Sequence, residues 1–151
     1  MLEWLQSSSL ADTISQSQTM MAALSSLHVL GLALIMSAVF GTSLRTLGAL
    51  FVSTPLSHVS RPATRLLGVG LAISVVTGFL MFMPRAEAAV ENQTFRIKLA
   101  LLSAGTIAYG IAMTRARQDS DVGPAGRILA VTTLTLWIGV VLAGCAFILL
   151  E

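Results

Sequence analysis

Sixteen charged residues are distributed along this chain so that four long stretches contain none, and that spacing decides what it can fold into. Between Asp12 and Arg45 lie 32 uncharged residues, between Arg65 and Arg85 lie 19, between Lys98 and Arg115 lie 16, and between Arg127 and Glu151 lie 23. A helix crossing the hydrocarbon of a bilayer needs roughly 20 mostly apolar residues. Only segments whose backbone groups bond internally are tolerated there. Charged residues make up 11% of the chain and hydrophobic ones 55%, against about 25% charged in a soluble domain. The chain cannot cover a water-facing surface, which excludes a soluble enzyme, a nucleic-acid reader and a disulfide scaffold. Its single cysteine, Cys145, permits no internal disulfide.

The expected fold is all-α: an integral membrane up-down-up-down four-helix bundle with a short N-terminal interfacial helix. Residues 1–20 read as an amphipathic interfacial segment, with Trp4 suited to the headgroup region, a helix start at Ser9 to Asp12, and Leu10 and Ile14 on one face. Residues 21–151 form the membrane domain, with spans at about 21–51, 62–83, 94–116 and 127–150. Thr54 and Pro55 predict a cap and first-turn proline for a short helix to Ser60, and Pro62 restarts the chain into the second span. The stretch from Arg85 to Gln93 reads as a polar loop, Thr94 as the cap of the third span, and Gln118 to Gly126 as a second loop.

Four spans place both termini on one side. The first and third connections carry Arg45, Arg61, Arg65, Arg115, Arg117 and Arg127, against Arg85, Arg96 and Lys98 on the other face. Six against three puts the first and third loops in the cytoplasm and both termini outside. The net charge of +2 thus reflects helix anchors and not a nucleic-acid surface. Small residues at four-residue spacing mark the expected helix seams: Ser37 with Gly41, Ala104 with Ala108 and Ala112, and Gly139 with Ala143.

Polar groups at membrane depth are costly, so each is a candidate for function. His28, Lys98, Met81, Met83 and Cys145 all fall toward the outer end of the antiparallel bundle. His28 can ligate haem, contact a quinone, or simply bond to a neighbouring helix. Lys98 can anchor a helix end or hold a lipid headgroup or haem propionate. A two-histidine haem is disfavoured because His58 lies at the opposite face, which leaves Met81 or Met83 as the partner ligand. Cys145, between Gly144 and Ala146, reads as a packing residue. Trp137 lies too deep for an interfacial belt, and its indole N–H is expected to bond to another helix or a partner. The seven acidic residues all lie in loops or tails, so no paired-carboxylate site is expected, nor a metal or catalytic constellation.

The segments LHVLGLAL (27–34), SLRTLG (43–48), PLSHVSR (55–61), VTGFLMF (76–82), FRIKLALL (95–102) and LWIGVVLAG (136–144), following Trp4-Leu5, resemble an uncharacterised family of four-helix bacterial inner-membrane proteins, a domain of unknown function. The resemblance covers nearly the whole chain. It implies a membrane-embedded four-helix fold and retention of His28, Arg45, Arg96 and Lys98. It also implies losses: Ser25 stands in place of an acidic residue, Ser43 in place of an aspartate and Cys145 in place of an arginine, and a histidine near Ala112 is missing. A fainter resemblance, through the early histidine alone, links the chain to small four-helix haem proteins such as the membrane protoporphyrinogen oxidases. The depleted site implies a small non-enzymatic accessory or structural subunit packing against larger membrane partners or copies of itself. A b-type cytochrome or quinone-contacting electron-transfer subunit using His28, with haem b the candidate cofactor, is the alternative. A transporter fragment acting as an oligomer is a third reading.

Overall fold

A computed structural model describes residues 3–118 and 123–149. Leu2 and the part of the expected second loop that holds Asp119 and Asp121 lie outside the described residues, as do the last two positions of the chain. Seven α-helices account for nearly all of the rest: α1 (Glu3–Gln6), α2 (Ser9–Gln16), α3 (Gln18–Leu47), α4 (Leu56–Phe82), α5 (Ala86–Glu91), α6 (Gln93–Gln118) and α7 (Pro124–Leu149). A 3-10 turn, Met83–Arg85, joins α4 to α5. No strand occurs among the described residues. Four helices, namely α3, α4 running on through α5, α6 and α7, are long and apolar enough to cross a membrane.

The helices pair as two antiparallel hairpins. Along α3 and α4 the contacts run Ser25 to Met81, His28 to Thr77, and Gly31 to Gly70. Along α6 and α7 they run Lys98 to Gly144, Leu101 to Gly139, and Gly105 to Trp137. The hairpins meet mainly through α3 and α7, with a lighter contact between α4 and α6. Their shared core holds Ile35, Val39, Leu67, Tyr109, Trp137 and Val140. Val29, Val75, Val76, Phe79, Ile107 and Leu142 point outward and stay exposed, as side chains do when lipid is the surrounding solvent.

Local chemistry sets each helix end. Gly48 stops α3 in the left-handed region (φ 77°, ψ 20°), its N–H donating to the Arg45 carbonyl. Ser8 caps α2 by accepting from the Ala11 amide. The cap of α6 is Asn92 and not Thr94: its Oδ1 accepts from the Thr94 amide at 2.8 Å and the Phe95 amide at 3.3 Å. Pro55 precedes α4, where no side chain caps the first turn, so the capping role expected of Thr54 is not realised.

Three other expectations are corrected. α4 is continuous through Pro62. The ring forfeits only a bond to the His58 carbonyl, and both residues sit on the exposed face close to the helix start, where that loss is cheap. The polar stretch after Arg85 is helical as α5, since Ala86 and Ala89 bury themselves at the end of the bundle. The N-terminal helices fold back onto that same end: Leu5 and Ala11 are buried with Met83 and Ala86, flanked by Leu80 and Phe82, and the Gln6 amide donates to the Pro84 carbonyl. Trp4 and Leu10 remain 72% and 61% exposed on the outside of this cap.

The seams also differ in part. Ser37 is exposed, and a β-carbon on Gly41 would meet nothing within 4 Å, so that pair faces away from the bundle. Backbones approach closely instead at Gly31 and Gly70. Ala108 is buried as expected and Gly139 lies against Leu101, whereas Ala104, expected on the same seam, is exposed.

Candidate functional site

The capped end of the bundle holds His28 and Lys98. His28 projects from α3 toward α4, where Gly78 leaves room for the ring: a β-carbon there would sit 3.1 Å from His28 Cε1. Its Nδ1 lies 3.1 Å from Thr77 Oγ1. The Thr77 hydroxyl donates its single proton to the Ile73 carbonyl at 2.7 Å, so toward the imidazole it accepts. The proton of the neutral ring is thereby assigned to Nδ1, and Nε2 keeps a lone pair. One turn away the Ser74 hydroxyl is buried with no hydrogen-bond partner.

Lys98 reaches this end from α6, its Nζ against Gly144 of α7, where a β-carbon would come within 3.6 Å. No carboxylate among the described residues pairs with it. Cys145 is exposed on the outside of α7, so it is not the packing residue expected from its small neighbours.

The two methionines separate. Met81 Sδ takes a long contact of 3.9 Å from the Ser25 hydroxyl, on the His28 side of α4. Met83 is buried in the N-terminal cap with Leu5, Ala11 and Ala86. His58 is exposed near the start of α4, at the opposite end of the bundle. Among the described residues no three of His, Cys, Asp or Glu gather as a metal site. Sequence reasoning missed Ser74, Thr77 and Gly78, although with Met81 they recur every three or four residues on one face of α4 and so form a small polar stripe facing His28.

Trp137 is fully buried, and its indole Nε1 has no hydrogen-bond partner. The expected bond to another helix is absent because Gly105 opposite offers only space: a β-carbon there would be 3.1 Å from Nε1. Arg45 Nε donates to the Thr54 carbonyl at 2.7 Å, within the connection between α3 and α4.

A cavity of about 130 Å³ opens at the other end, between α3, α6 and α7. Thr42, Thr46, Tyr109, Arg115 and Thr133 supply its polar lining. Ser43 and Ala112 line it as well.

Four apolar spans in antiparallel hairpins define a multi-pass α-helical membrane protein. The chain belongs to a family of unknown function, DUF6644, whose model matches residues 1–149. No curated protein and no solved structure matches it significantly.

Proposed function

We propose that the chain is a small accessory subunit of the bacterial inner membrane, and that its capped end binds the polar head of an apolar molecule or of a larger membrane partner. The observation that carries this reading is that His28 and Lys98 both lie at the capped end of the bundle. Lys98 brings a cation with no carboxylate partner among the described residues, and His28 brings a ring nitrogen whose neighbour is tied to Thr77. A carbonyl, phosphate or carboxylate head would take a charge-assisted bond from Lys98, and a hydroxyl would donate to His28 Nε2. A quinone and its quinol, a phospholipid and a protein carboxylate all meet that description. The exposed Trp4, Leu10 and Cys145 at the same end give a neighbouring membrane protein or second copy a surface to pack on. The excess of arginine at the opposite end supports periplasmic termini.

A b-type cytochrome is the second reading, because a histidine held through Nδ1–H presents Nε2 as an axial ligand should. With Met83 buried in the cap, Met81 is the remaining candidate for a second axial ligand.

Protein purified in mild detergent tests both readings. A colourless preparation that co-purifies with a membrane partner and binds a quinone analogue or anionic lipid, losing that binding in Lys98→Ala, supports the first. A Soret band that vanishes in His28→Ala overturns it and establishes the second. A C-terminal alkaline phosphatase fusion that is inactive would overturn the orientation.

A further inference from the structure

At the capped end the two hairpins touch through a pair of phenyl rings. Phe82 of α4 and Phe95 of α6 stack with their centroids 5.5 Å apart and their planes 11° from parallel. Phe79 tilts against Phe82 from the same helix, at 6.4 Å and 30°. Helical register sets both polar groups of the site one turn from this stack. Gly78, against which the His28 ring lies, comes four residues before Phe82, and Lys98 comes three residues after Phe95. Residues at those spacings are neighbours on one helix face.

α4 runs toward the capped end and α6 runs away from it, so Gly78 and Lys98 both lie deeper in the bundle than the stacked rings. The rings therefore roof the site on its water side. The contact between α4 and α6 is light, and that side of the bundle faces lipid. An occupant that arrives from the bilayer with a flat apolar ring fits beneath such a roof, because offset or stacked aromatic pairs are favourable beyond the area they bury.

The hydrogen-bonding groups narrow the choice further. His28 Nε2 keeps a lone pair, because Thr77 spends its proton on the Ile73 carbonyl and accepts at Nδ1, so a bound head has to donate there. A lipid phosphodiester and a protein carboxylate only accept; Lys98 suits them and His28 does not. A hydroquinone brings a hydroxyl for Nε2, a second oxygen for the ammonium, a flat ring for the phenylalanines and a prenyl tail for the lipid. Resting on the capped-end reading above, we infer that the site takes an isoprenoid quinol, its ring beneath Phe82 and Phe95, one hydroxyl donating to His28 Nε2 and the other oxygen accepting from Lys98.

The test measures binding of decylubiquinol, decylubiquinone and phosphatidylglycerol to the full chain in detergent, with oxygen excluded, by thermal unfolding and native mass spectrometry. The quinol is expected to bind roughly five-fold more tightly than the quinone, the worth of one hydrogen bond, and His28→Ala abolishes that preference. Phe95→Leu weakens both quinone forms roughly five-fold without changing retention of phosphatidylglycerol, and Phe95→Tyr, which keeps the ring, binds as the parent does. Phosphatidylglycerol binding that depends on Lys98, with no binding of the quinol, overturns the inference and leaves the capped-end reading standing. Failure of all three to bind overturns both. Quinol held no more tightly than quinone, or held equally by the parent and Phe95→Leu, overturns the inference as well.

Discussion

Gly31 and Gly70 cross so closely that each excludes a side chain from the other: a β-carbon on Gly31 would lie 2.9 Å from the Gly70 carbonyl oxygen, and one on Gly70 would lie 2.7 Å from the Gly31 carbonyl oxygen. Neither obstacle is a flexible side chain that could swing aside. In a bilayer no hydrophobic effect pulls helices together, so close backbone packing of this kind is what holds α3 against α4. Gly70→Ala should therefore destabilise the bundle by about 1–3 kcal/mol, the usual range for overpacking. Gly68→Ala, whose β-carbon meets nothing within 4 Å, should be neutral or stabilising by up to about 1 kcal/mol through helix propensity. Thermal unfolding in detergent micelles compares the two directly, and equal effects would mean that the crossing does not govern stability.

The His28 ring offers a spectroscopic check on the capped-end site. Because the Thr77 hydroxyl is committed to the Ile73 carbonyl, the neutral imidazole should carry its proton on Nδ1, a minority state for free histidine in water. Long-range nitrogen–proton correlation spectra of ring-labelled protein, recorded where His28 is neutral, distinguish the tautomers. Thr77→Val removes the acceptor and should shift the population toward Nε2–H, while Gly78→Ala should displace the ring through the contact at 3.1 Å. A parent spectrum dominated by Nε2–H would contradict the assignment.

What the sequence disclosed, and what it hid, follows from the range of the forces involved. The charge-free runs located the four spans because burial in lipid is a property of whole segments. The gathering of His28, Met81 and Lys98 at one end followed from antiparallel order alone. The seam at Gly31 and Gly70 was missed because Gly41 and Ser37 show the same small-residue spacing, and only the rotation of each helix decides which pair turns inward. Met83 entered the cap for a similar reason: two residues along a helix end are enough to turn a side chain from one neighbour to another. The cap itself escaped notice because Leu5 and Ala11 find their partners, Met83 and Ala86, more than seventy residues away.

Arg45 closes the short connection between α3 and α4 by donating from Nε to the Thr54 carbonyl at 2.7 Å. A half-buried, charge-assisted bond of this type contributes about 1 kcal/mol or somewhat more. Arg45→Ala should lower stability by that amount and raise the hydrogen-exchange rates of residues 48–54, with the Thr54 amide, which donates to the Phe51 carbonyl, as the most direct reporter. Arg45→Lys should restore little of the protection, because an ammonium cannot place a donor where Nε stands. Unchanged exchange in Arg45→Ala would show that the turn is held by Gly48 and its backbone bonds alone.

Trp137 poses a sharper question, since its ring is fully buried while its indole N–H goes unbonded. Removing the whole side chain empties the middle of the core between Ile35, Tyr109 and Val140, and Trp137→Ala should cost about 3–5 kcal/mol. Trp137→Phe deletes a donor that has no acceptor, so no hydrogen bond is lost with it. Its cost should be confined to the missing ring volume and stay below about 2 kcal/mol. Gly105→Ala attacks the same contact from α6 and should destabilise as well, because the new methyl would press on Nε1 at 3.1 Å. Combined with Trp137→Phe, which frees space there, Gly105→Ala should cost less than in the parent chain, a coupling of about 0.5–3 kcal/mol that a double-mutant cycle measures. Strict additivity would mean that the ring and the glycine do not share the contact. A cost for Trp137→Phe close to that of Trp137→Ala would mean that the indole nitrogen holds a partner after all.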